Sequence, residues 1–391
     1  MATDASHAAG PGPRRPARRE VTGLARARRV AVVAALVALV PAAFSYVRTI
    51  SEPSNSSLGI RSVEWLRDHG GAGLVAKVES IYYSLTAPSK GGPTLRILPG
   101  VGYAPTAAGT VHAHTHTTPM EYQPPRVRAI LRPALPGEGI WHHARPGHEV
   151  EPTILVTTYR DQPEYPRVLA GLAWINTKRT SVTLNPGRSE PSVSLPRGSM
   201  DVPAWRRHRL LAAFNSGFKL SDSRGGFVLG GHTYATMQDD LGTLVGYKNG
   251  RVNVIDWHHG ATAPPNVEFA RQNLPLMVDH GRTNPEIANG EWGATLGNAV
   301  LVWRSGVGVD RRGNLIFAAG EDQSAESLAK ALVHAGAVRA IELDINSYWV
   351  SFITYGAPGG AAPRNLLPSM VRGPSRYLEP DDRDFFAVYS R

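Results

Sequence analysis

The sequence predicts a mixed α/β (α+β) fold, with a strand-rich central sheet and few helices, preceded by a single transmembrane helix. Short apolar runs separated by turn residues dominate from about residue 126, one capped helical segment interrupts them, and an uncharged apolar run lies near the N-terminus. The 391 residues include 40 glycines and 31 prolines, which is typical of many turns and short strands. The absence of cysteine excludes thiol nucleophiles and zinc–thiolate sites.

The net charge of +10 is concentrated at the N-terminus. Residues 1–50 hold eight arginines against Asp4 and Glu20, whereas the remaining residues hold 34 basic and 30 acidic side chains. A nearly balanced body with a basic tail argues against a DNA-binding surface, so we expect no nucleic-acid partner. It favours a membrane-topology signal instead.

Residues 30–47 form that signal, an uncharged run of eighteen residues that is long enough to cross most of a bilayer core as a helix. Seven arginines precede the run and one follows it. The positive-inside rule therefore predicts a cytoplasmic, disordered tail over residues 1–29 and an extracytoplasmic chain beyond about residue 50. A cleaved signal peptide is the alternative, because the run is short and Ala42 and Ala43 offer a cleavage site.

Residues 51–125 are expected to form juxtamembrane helices and a linker. An amphipathic helix begins at Ile60 and ends at Gly70 and Gly71, and residues 74–85 predict a second helix. Residues 104–125 are rich in threonine, histidine and proline, as in a linker. Three histidines alternate within this linker: His112, His114 and His116. Alternating histidines can bind a divalent metal, and the sequence identifies no cofactor.

The main domain is predicted over residues 126–391. Asn249-Gly250 lies between two apolar runs, which is the strongest short signal of a β-hairpin. Residues 310–313 predict a turn between two further strands. Ser324 can cap a helix that Gly336 ends, and the apolar run of residues 338–343 follows. The order strand, helix, strand is typical of a covered sheet.

Polar side chains follow apolar strands at three places, where a scaffold can hold a site in position. Asn215 and Lys219 follow the first strand, Asp279 and His280 follow the second, and Asp344 follows the third. Glu342 and Asp344 are two residues apart on a strand, so their side chains point to one face, about 6.6 Å apart. Two carboxylates at that separation suit acid and base roles in glycoside hydrolysis.

Arg304 ends another apolar strand, where its guanidinium can bind a phosphate or a carboxylate. The alternative is a structural salt bridge that buries a carboxylate against Arg304. The sequence holds no P-loop, GxSxG, HExxH or dinucleotide motif, which argues against kinases, α/β-hydrolases, zincins and nicotinamide enzymes.

The order and spacing of these motifs resemble the catalytic domain of the phosphodiester glycosidase family, the family of N-acetylglucosamine-1-phosphodiester α-N-acetylglucosaminidase, which includes bacterial envelope proteins. The resemblance covers about residues 205–355, from Asn215-Ser216-Gly217-Phe218 through Asp279-His280-Gly281 and Arg304 to Leu343-Asp344. Family members usually have glycine where this chain has Ser216, and glycines where it has Ile345 and Asn346.

The resemblance implies hydrolysis of a sugar-1-phosphodiester or a related envelope glycan linkage by a membrane-anchored extracytoplasmic glycosidase. Its substrate would be a carbohydrate or sugar phosphate. Asp344 would be the acid/base or nucleophile, with Glu342 beside it, and Arg304 would bind phosphate. The sugar hydroxyls would contact Asn215 and Asp279, with Lys219 and His280 as further binding candidates. An inactive glycan-binding or polymer-assembly protein that uses the same cleft is the main alternative. A membrane-tethered scaffold that works through residues 51–90 is another.

Overall fold

The computed structural model describes residues 23–103, 122–146, 152–293 and 301–391. Most of the predicted cytoplasmic tail, and the three alternating histidines of the linker, lie outside the described residues. The chain divides into two compact units, residues 1–52 and residues 53–391.

Over its described residues the first unit is a helix, α1 (Gly23–Ser51). Its segment Ala25–Ser51 reaches a mean hydropathy of 2.4 and is long and apolar enough to cross a membrane. The valines and leucines of this segment are exposed within the structure. A signal sequence has the same length and composition, so the helix fits both of the alternatives raised for residues 30–47.

The second unit begins with a helical hairpin, residues 58–86, made of α2 (Leu58–Leu66) and α3 (Ala72–Thr86). The Ser57 side chain caps α2 by accepting a hydrogen bond from the backbone N–H of Ile60. Between the helices Gly70 has φ of 89°, a left-handed conformation that favours glycine. The predicted pair of helices and the break at Gly70 are confirmed.

Two further helices, α4 (Leu220–Ser223) and α5 (Ala325–His334), accompany a strand-rich body. The strands are β1 (His142–His143), β2 (Ile154–Tyr159), β3 (Ala170–Ile175), β4 (Thr180–Asn185), β5 (Leu210–Asn215), β6 (Phe227–Leu229), β7 (His232–Ala235), β8 (Gly242–Tyr247), β9 (Val252–Asp256), β10 (Val267–Gln272), β11 (Val278–Asp279), β12 (Arg282–Thr283), β13 (Val302–Val309), β14 (Leu315–Gln323), β15 (Arg339–Glu342), β16 (Phe352–Ala357), β17 (Ala361–Asn365) and β18 (Phe385–Ser390).

These strands form three antiparallel sheets. The first has the order β1-β2-β3-β14-β13-β15-β11-β12, the second β7-β6-β10-β8-β9 and the third β17-β16-β5-β18-β4. The mixed α+β class with few helices is confirmed, and the strands are divided among three sheets.

The predicted strand–helix–strand unit is β14-α5-β15. Both strands pair antiparallel with β13, which lies between them, so they run parallel to each other. A capping box between Ser324 and Ser327 begins α5. Leu332 of α5 packs closely on β13, because a Cβ atom at Gly306 would lie 3.1 Å from its Cδ1 atom. The helix therefore covers one face of the first sheet, as the sequence predicted.

The predicted hairpin at Asn249-Gly250 is also present, as β8 and β9. Gly250 has φ of 80°, and the Asn249 side chain accepts a hydrogen bond from the backbone N–H of Arg251. Both features are typical of the turn that this dipeptide predicts.

A cluster of phenylalanines joins the sheets. Phe214 of the third sheet lies 5.5 Å from Phe317 of the first sheet and 5.2 Å from Phe386 of its own sheet, between ring centroids. Phe269 of the second sheet lies 6.1 Å from Phe386. These rings are almost completely buried and fix the sheets around one core. The C-terminal ends of β5 and β15 meet beside this core, where the backbone N–H of Asp344 donates to the carbonyl of Ser216.

Candidate active site

The candidate site lies where β5, β13 and the end of β15 meet. The backbone N–H of Asp344 donates to the carbonyl of Ser216, 3.2 Å away. The hydroxyl of Ser305 on β13 donates to the carbonyl of Asp344 over 2.8 Å. The Nδ2 atom of Asn215 donates to Ser305 Oγ over 3.0 Å. The structure thus brings together two of the three predicted strand ends.

Asp344 is buried against Arg383. Its Oδ1 atom accepts a hydrogen bond from the backbone N–H of Asn346, and its Oδ2 atom lies 3.5 Å from Arg383 Nη2. Burial raises the pKa of Asp344, and the Arg383 guanidinium opposes that rise. A carboxyl whose pKa is raised keeps its proton to a higher pH, as a general acid must.

The guanidinium of Arg383 is incompletely bonded. Its Nε and Nη1 atoms are buried and have no hydrogen-bond partner within the described ranges, and it lies 5.0 Å from the ring centre of Trp349. Burial lowers the pKa of Arg383, but neighbouring carboxylates, first Asp344 and then Glu64, outweigh burial and raise it. Arg383 is therefore a charged side chain whose remaining N–H groups can donate to a further acceptor.

Glu342 and Arg304 bind each other instead of a shared ligand. Arg304 Nη1 lies 2.7 Å from Glu342 Oε1, and neither side chain is exposed by more than 6%. The rest of the guanidinium donates to the carbonyls of Gln323, Trp292 and Gly293. Burial raises the pKa of Glu342, and Arg304 opposes that rise. This is the geometry of the structural salt bridge that the sequence left open.

Asn215 is also held by the protein. Its Oδ1 atom accepts the backbone N–H of Ser351, and its Nδ2 atom donates to Ser305 Oγ and to the carbonyl of Ser216. The side chain ties β5 and β13 together and fixes the backbone that positions Asp344.

Lys219 points at the helical hairpin. Its Nζ atom lies 2.6 Å from Glu64 Oε2 and 2.8 Å from Asp68 Oδ1. Lys219 is almost completely buried, whereas Asp68 is 55% exposed. Burial raises the pKa of Glu64, but Arg383 and Lys219 outweigh burial and lower it. Two carboxylates of the hairpin thus neutralise a cation of the candidate site.

Other contacts fasten the hairpin over the same region. The backbone N–H of Ser57 donates to the hydroxyl of Tyr348 over 3.0 Å, and Tyr83 is hydrogen-bonded to Ser347. Tyr348 and Ser347 follow Asp344 closely in the chain. Residues 58–86 therefore cover the loop that carries Asp344.

Several buried polar atoms around Asp344 lack partners among the residues that the structure describes. Besides the two nitrogens of Arg383, they are Ser216 Oγ, Glu342 Oε2 and Trp349 Nε1. Buried polar groups in proteins are nearly always hydrogen-bonded, and those that are not mark sites that hold water or a ligand. Five of these atoms belong to residues around Asp344, and on this ground we take its surroundings as the candidate site.

Asp279 and His280 lie elsewhere. In β11 Val278 pairs with Ala340 of β15, and the N–H of Gly281 donates to the carbonyl of Val338. Asp279 and His280 are therefore at the opposite end of β15 from Asp344, about 16 Å away at strand rise. Their side chains form an exposed pair, with His280 Nδ1 2.7 Å from Asp279 Oδ2.

One group of side chains in the described part of the chain has the spacing that could hold a divalent metal. Ligand atoms of Asp240, Asp256 and His258 lie within 4.8 Å of one another. Asp240 precedes β8 and Asp256 ends β9, so the group belongs to the second sheet and Asp344 is not a member. The three side chains are largely exposed, and exposed acidic groups commonly lie this close without a metal.

Ile345 fills space next to the catalytic candidate. A Cβ atom at Gly293 would lie 2.7 Å from Ile345 Cδ1 and 3.2 Å from Phe218 Cζ. Ile345, Phe218 and Gly293 therefore pack together where a glycine after Asp344 would leave room.

The sequence did not single out Arg383 or Glu64. Arg383 belongs to a charged loop near the C-terminus, and Glu64 is one charge on an amphipathic helix. The available signal was the charged run Asp381-Asp382-Arg383-Asp384, which directly precedes the apolar strand β18.

Comparison with known proteins finds distant likeness only. No family model matches the chain, and no curated protein matches it. Among solved structures, the chain is similar to the zebrafish N-acetylglucosamine-1-phosphodiester α-N-acetylglucosaminidase catalytic domain auto-inhibited by pro-peptide, with 16% identity, a TM-score of 0.42 and coverage of 63% of this chain and 86% of that chain.

Two bacterial structures are comparably distant. A hypothetical protein from Synechocystis has 14% identity and a TM-score of 0.38, over 63% of this chain and 65% of that chain. An exported protein from Burkholderia pseudomallei has 12% identity and a TM-score of 0.36, over 59% of this chain and 75% of that chain. At these TM-scores the likeness assigns no function to this chain.

Proposed function

We propose that this chain is a membrane-anchored extracytoplasmic glycosidase that hydrolyses a sugar-1-phosphodiester or a related envelope glycan linkage. The observation that carries the proposal is the Arg383 guanidinium, 3.5 Å from the Asp344 carboxyl, with two buried nitrogens that have no partner in the described ranges. An acid beside a cation that has N–H groups to spare suits a bond between an anomeric carbon and a phosphate.

In this reaction Asp344 is the general acid. The bond between the anomeric carbon and the phosphate oxygen breaks, and Asp344 donates its proton to that oxygen. The oxygen of a water molecule bonds to the anomeric carbon, and the surplus proton of the water returns to Asp344. The products are the free sugar and a phosphomonoester.

The cations of the site hold the phosphate. Arg383 donates to its oxygens through Nε and Nη1, and Lys219 adds a second positive charge once Glu64 and Asp68 are displaced. Arg304 neutralises Glu342 and does not contact the substrate. Asn215 positions the loop that carries Asp344. Asp279 and His280, at the far end of the first sheet, would contact only a distant part of an extended substrate.

Binding of glycan without hydrolysis is the second candidate function, and the packing of Ile345 favours it. Because Ile345 lies against Phe218 and the backbone of Gly293, a sugar ring has less room beside Asp344 than a glycine would allow. The cations would then retain an anionic glycan that the site does not cleave.

Hydrolysis by the full chain in detergent micelles tests the proposal. The assay uses a panel of sugar-1-phosphodiesters with and without divalent metal, and compares Asp344→Asn with Glu326→Gln, which removes an exposed carboxylate of α5. We expect Asp344→Asn to lower kcat by about 100-fold or more, as for loss of a general acid, and Glu326→Gln to leave it unchanged.

Two outcomes contradict hydrolysis at this site. Full activity in a folded Asp344→Asn variant removes Asp344 from the reaction. The second outcome is that neither the folded wild-type chain nor Ile345→Gly, which reopens the space, cleaves any panel member. If the same compounds nevertheless bind, and Arg383→Gln abolishes that binding, the glycan-binding function replaces hydrolysis.

A further inference from the structure

A second polar site lies at the other end of the first sheet. Residues of the β13–β14 turn, the β8–β9 hairpin and the start of β15 line a groove of about 620 Å³. The turn, Asp310 to Gly313, is six or more residues from Arg304 along the strand, which is about 20 Å. The groove is thus separate from the Asp344 site.

The groove is strongly basic. Six of its lining side chains are cationic: Lys178, Arg251, Arg311, Arg312, Arg339 and Arg391. In the described part of the chain, none of the six forms an ion pair with a carboxylate. The overall charge of the protein hides this feature, because the residues beyond the N-terminal tail are nearly balanced.

Among the described residues that line the groove, Asp310 has the only acidic side chain, and the turn uses it. Its Oδ1 atom accepts the backbone N–H groups of Arg312 and Asn314, and its Oδ2 atom accepts Trp174 Nε1 and Asn314 Nδ2. Both carboxylate oxygens of Asp310 are therefore hydrogen-bonded, and the residue is only 7% exposed. Asp310 is not available to pair with the cations of the groove.

Four of the arginines are held in place by neutral partners. Arg339 donates to the carbonyl of Val254 and to Asn253 Oδ1. Arg391 donates to the carbonyls of Thr180 and Gly250. The guanidinium carbon of Arg312 lies 4.0 Å from the ring centre of Tyr122, and that of Arg251 lies 5.0 Å from the ring centre of Tyr247. These contacts orient the charges without neutralising them.

We infer that this groove binds an anionic polysaccharide whose repeating units carry phosphate or carboxylate groups. Arginine forks pair with such oxyanions in a bidentate manner, and several fixed cations suit a polymer that presents one anion after another. A concave volume of this size can receive a segment of a polymer chain.

Two other polyanions fit less well. Single-stranded nucleic acid needs aromatic faces on which bases stack, and Tyr122 and Tyr247 are already covered by guanidinium groups. An anionic membrane surface calls for exposed apolar side chains as anchors, and the valines that line the groove are not among the exposed large hydrophobic residues of the described chain.

Binding of polymers to the full chain in detergent micelles tests the inference. The probes are phosphomannan, polymannuronate, neutral dextran, inorganic phosphate, a thymidine 20-mer and phosphatidylglycerol vesicles, each over a series of NaCl concentrations. The variant Lys178→Gln/Arg311→Gln/Arg312→Gln removes three groove cations. Its matched control, Lys77→Gln/Arg128→Gln/Lys330→Gln, removes three exposed cations elsewhere.

We expect the wild-type chain to bind one or both anionic polymers, and to bind dextran and inorganic phosphate far more weakly. The groove variant should weaken polymer binding by about tenfold or more and reduce its salt dependence by about two to three counterions. The control should leave both unchanged, and the melting temperatures of all three proteins should agree within the error.

Four results overturn the inference. They are the absence of polymer binding at low salt, an equal loss in the control variant, tighter binding of the oligonucleotide, and tighter binding of the vesicles. Because Asp344→Asn leaves the groove intact, failure of hydrolysis and failure of polymer binding are distinguishable.

Discussion

The ammonium of Lys219 lies 2.6 Å from the carboxylate of Glu64. A residue of the helical hairpin is therefore ion-paired with a cation of the candidate site. Under the proposed function, the carboxylates of Glu64 and Asp68 compete with the oxygens of an anionic substrate for Lys219. Any such substrate must displace them.

The variant Glu64→Gln/Asp68→Asn should therefore bind anions more tightly. We expect its Kd for glucose 1-phosphate, measured by isothermal titration calorimetry, to fall by about tenfold, the equivalent of one charge-assisted hydrogen bond of about 1.4 kcal/mol. Glu79→Gln is the matched control, because Glu79 pairs with Arg67 within the same hairpin. An unchanged Kd in the double variant would show that the hairpin carboxylates do not compete with ligand.

Breaking the Arg304–Glu342 pair should destabilise the protein strongly. Arg304→Met leaves a buried carboxylate without its partner, a change that costs about 3–5 kcal/mol. Arg304→Met/Glu342→Leu removes both charges and should cost less than Arg304→Met alone. Urea unfolding measures both, with Lys330→Gln of an exposed pair as the control expected to cost less than about 1 kcal/mol. If the double variant is the less stable of the two, the pair is not the source of the loss.

Asp161 should make stability fall as pH rises. Burial raises its pKa to about 7, and its Oδ2 atom has no partner in the described ranges. Between about pH 4 and pH 7 the folded state therefore keeps a proton that the unfolded state has lost, so the stabilisation present at pH 4 disappears as pH passes 7.

Asp161→Asn mimics the protonated form at every pH. Its stability should match that of the wild type near pH 4 and exceed it at pH 8, by up to about 4 kcal/mol. The measurement is urea unfolding from pH 4 to pH 8, with the exposed Asp256→Asn as the control. A difference that stays constant with pH would contradict the raised pKa.

Loss of the capping box should weaken α5 moderately. The Ser324 hydroxyl accepts the backbone N–H of Ser327, and the Ser327 hydroxyl accepts that of Ser324. Ser324→Ala should cost about 1 kcal/mol, and Ser324→Asp, which keeps an acceptor at the cap, should restore most of it. Thermal unfolding of both variants checks the order, and equal melting temperatures for Ala and Asp would exclude the cap as the cause.

Local signals in the sequence predicted the elements that depend on local chemistry. Asn249-Gly250 gave a hairpin, and Ser324 with Gly336 bounded α5, because turn and cap geometry are fixed by neighbouring residues. Asn215 and Asp344 were both candidates at strand ends, and the structure links them through Ser305.

Strand direction explains what the sequence did not predict. Polar residues that follow neighbouring strands lie at the same end of a sheet only when those strands are parallel. Because β11 is antiparallel to β15, Asp279 and His280 lie at the opposite end of the sheet from Asp344. Arg383 and Glu64 reach the site from segments more than 35 residues away in the chain, and no local pattern specifies contacts over such separations.

The segment that precedes the hairpin has a mechanical consequence. The hydroxyls of Ser54 and Ser56 both donate to Asp382 Oδ2, and Asn55 Nδ2 donates to Asp381 Oδ2. A pulling force on the chain ahead of Ser54 is therefore borne first by hydrogen bonds to the two residues before Arg383. Tension on that segment would load the loop that holds the Arg383 guanidinium before it reached any strand of the three sheets.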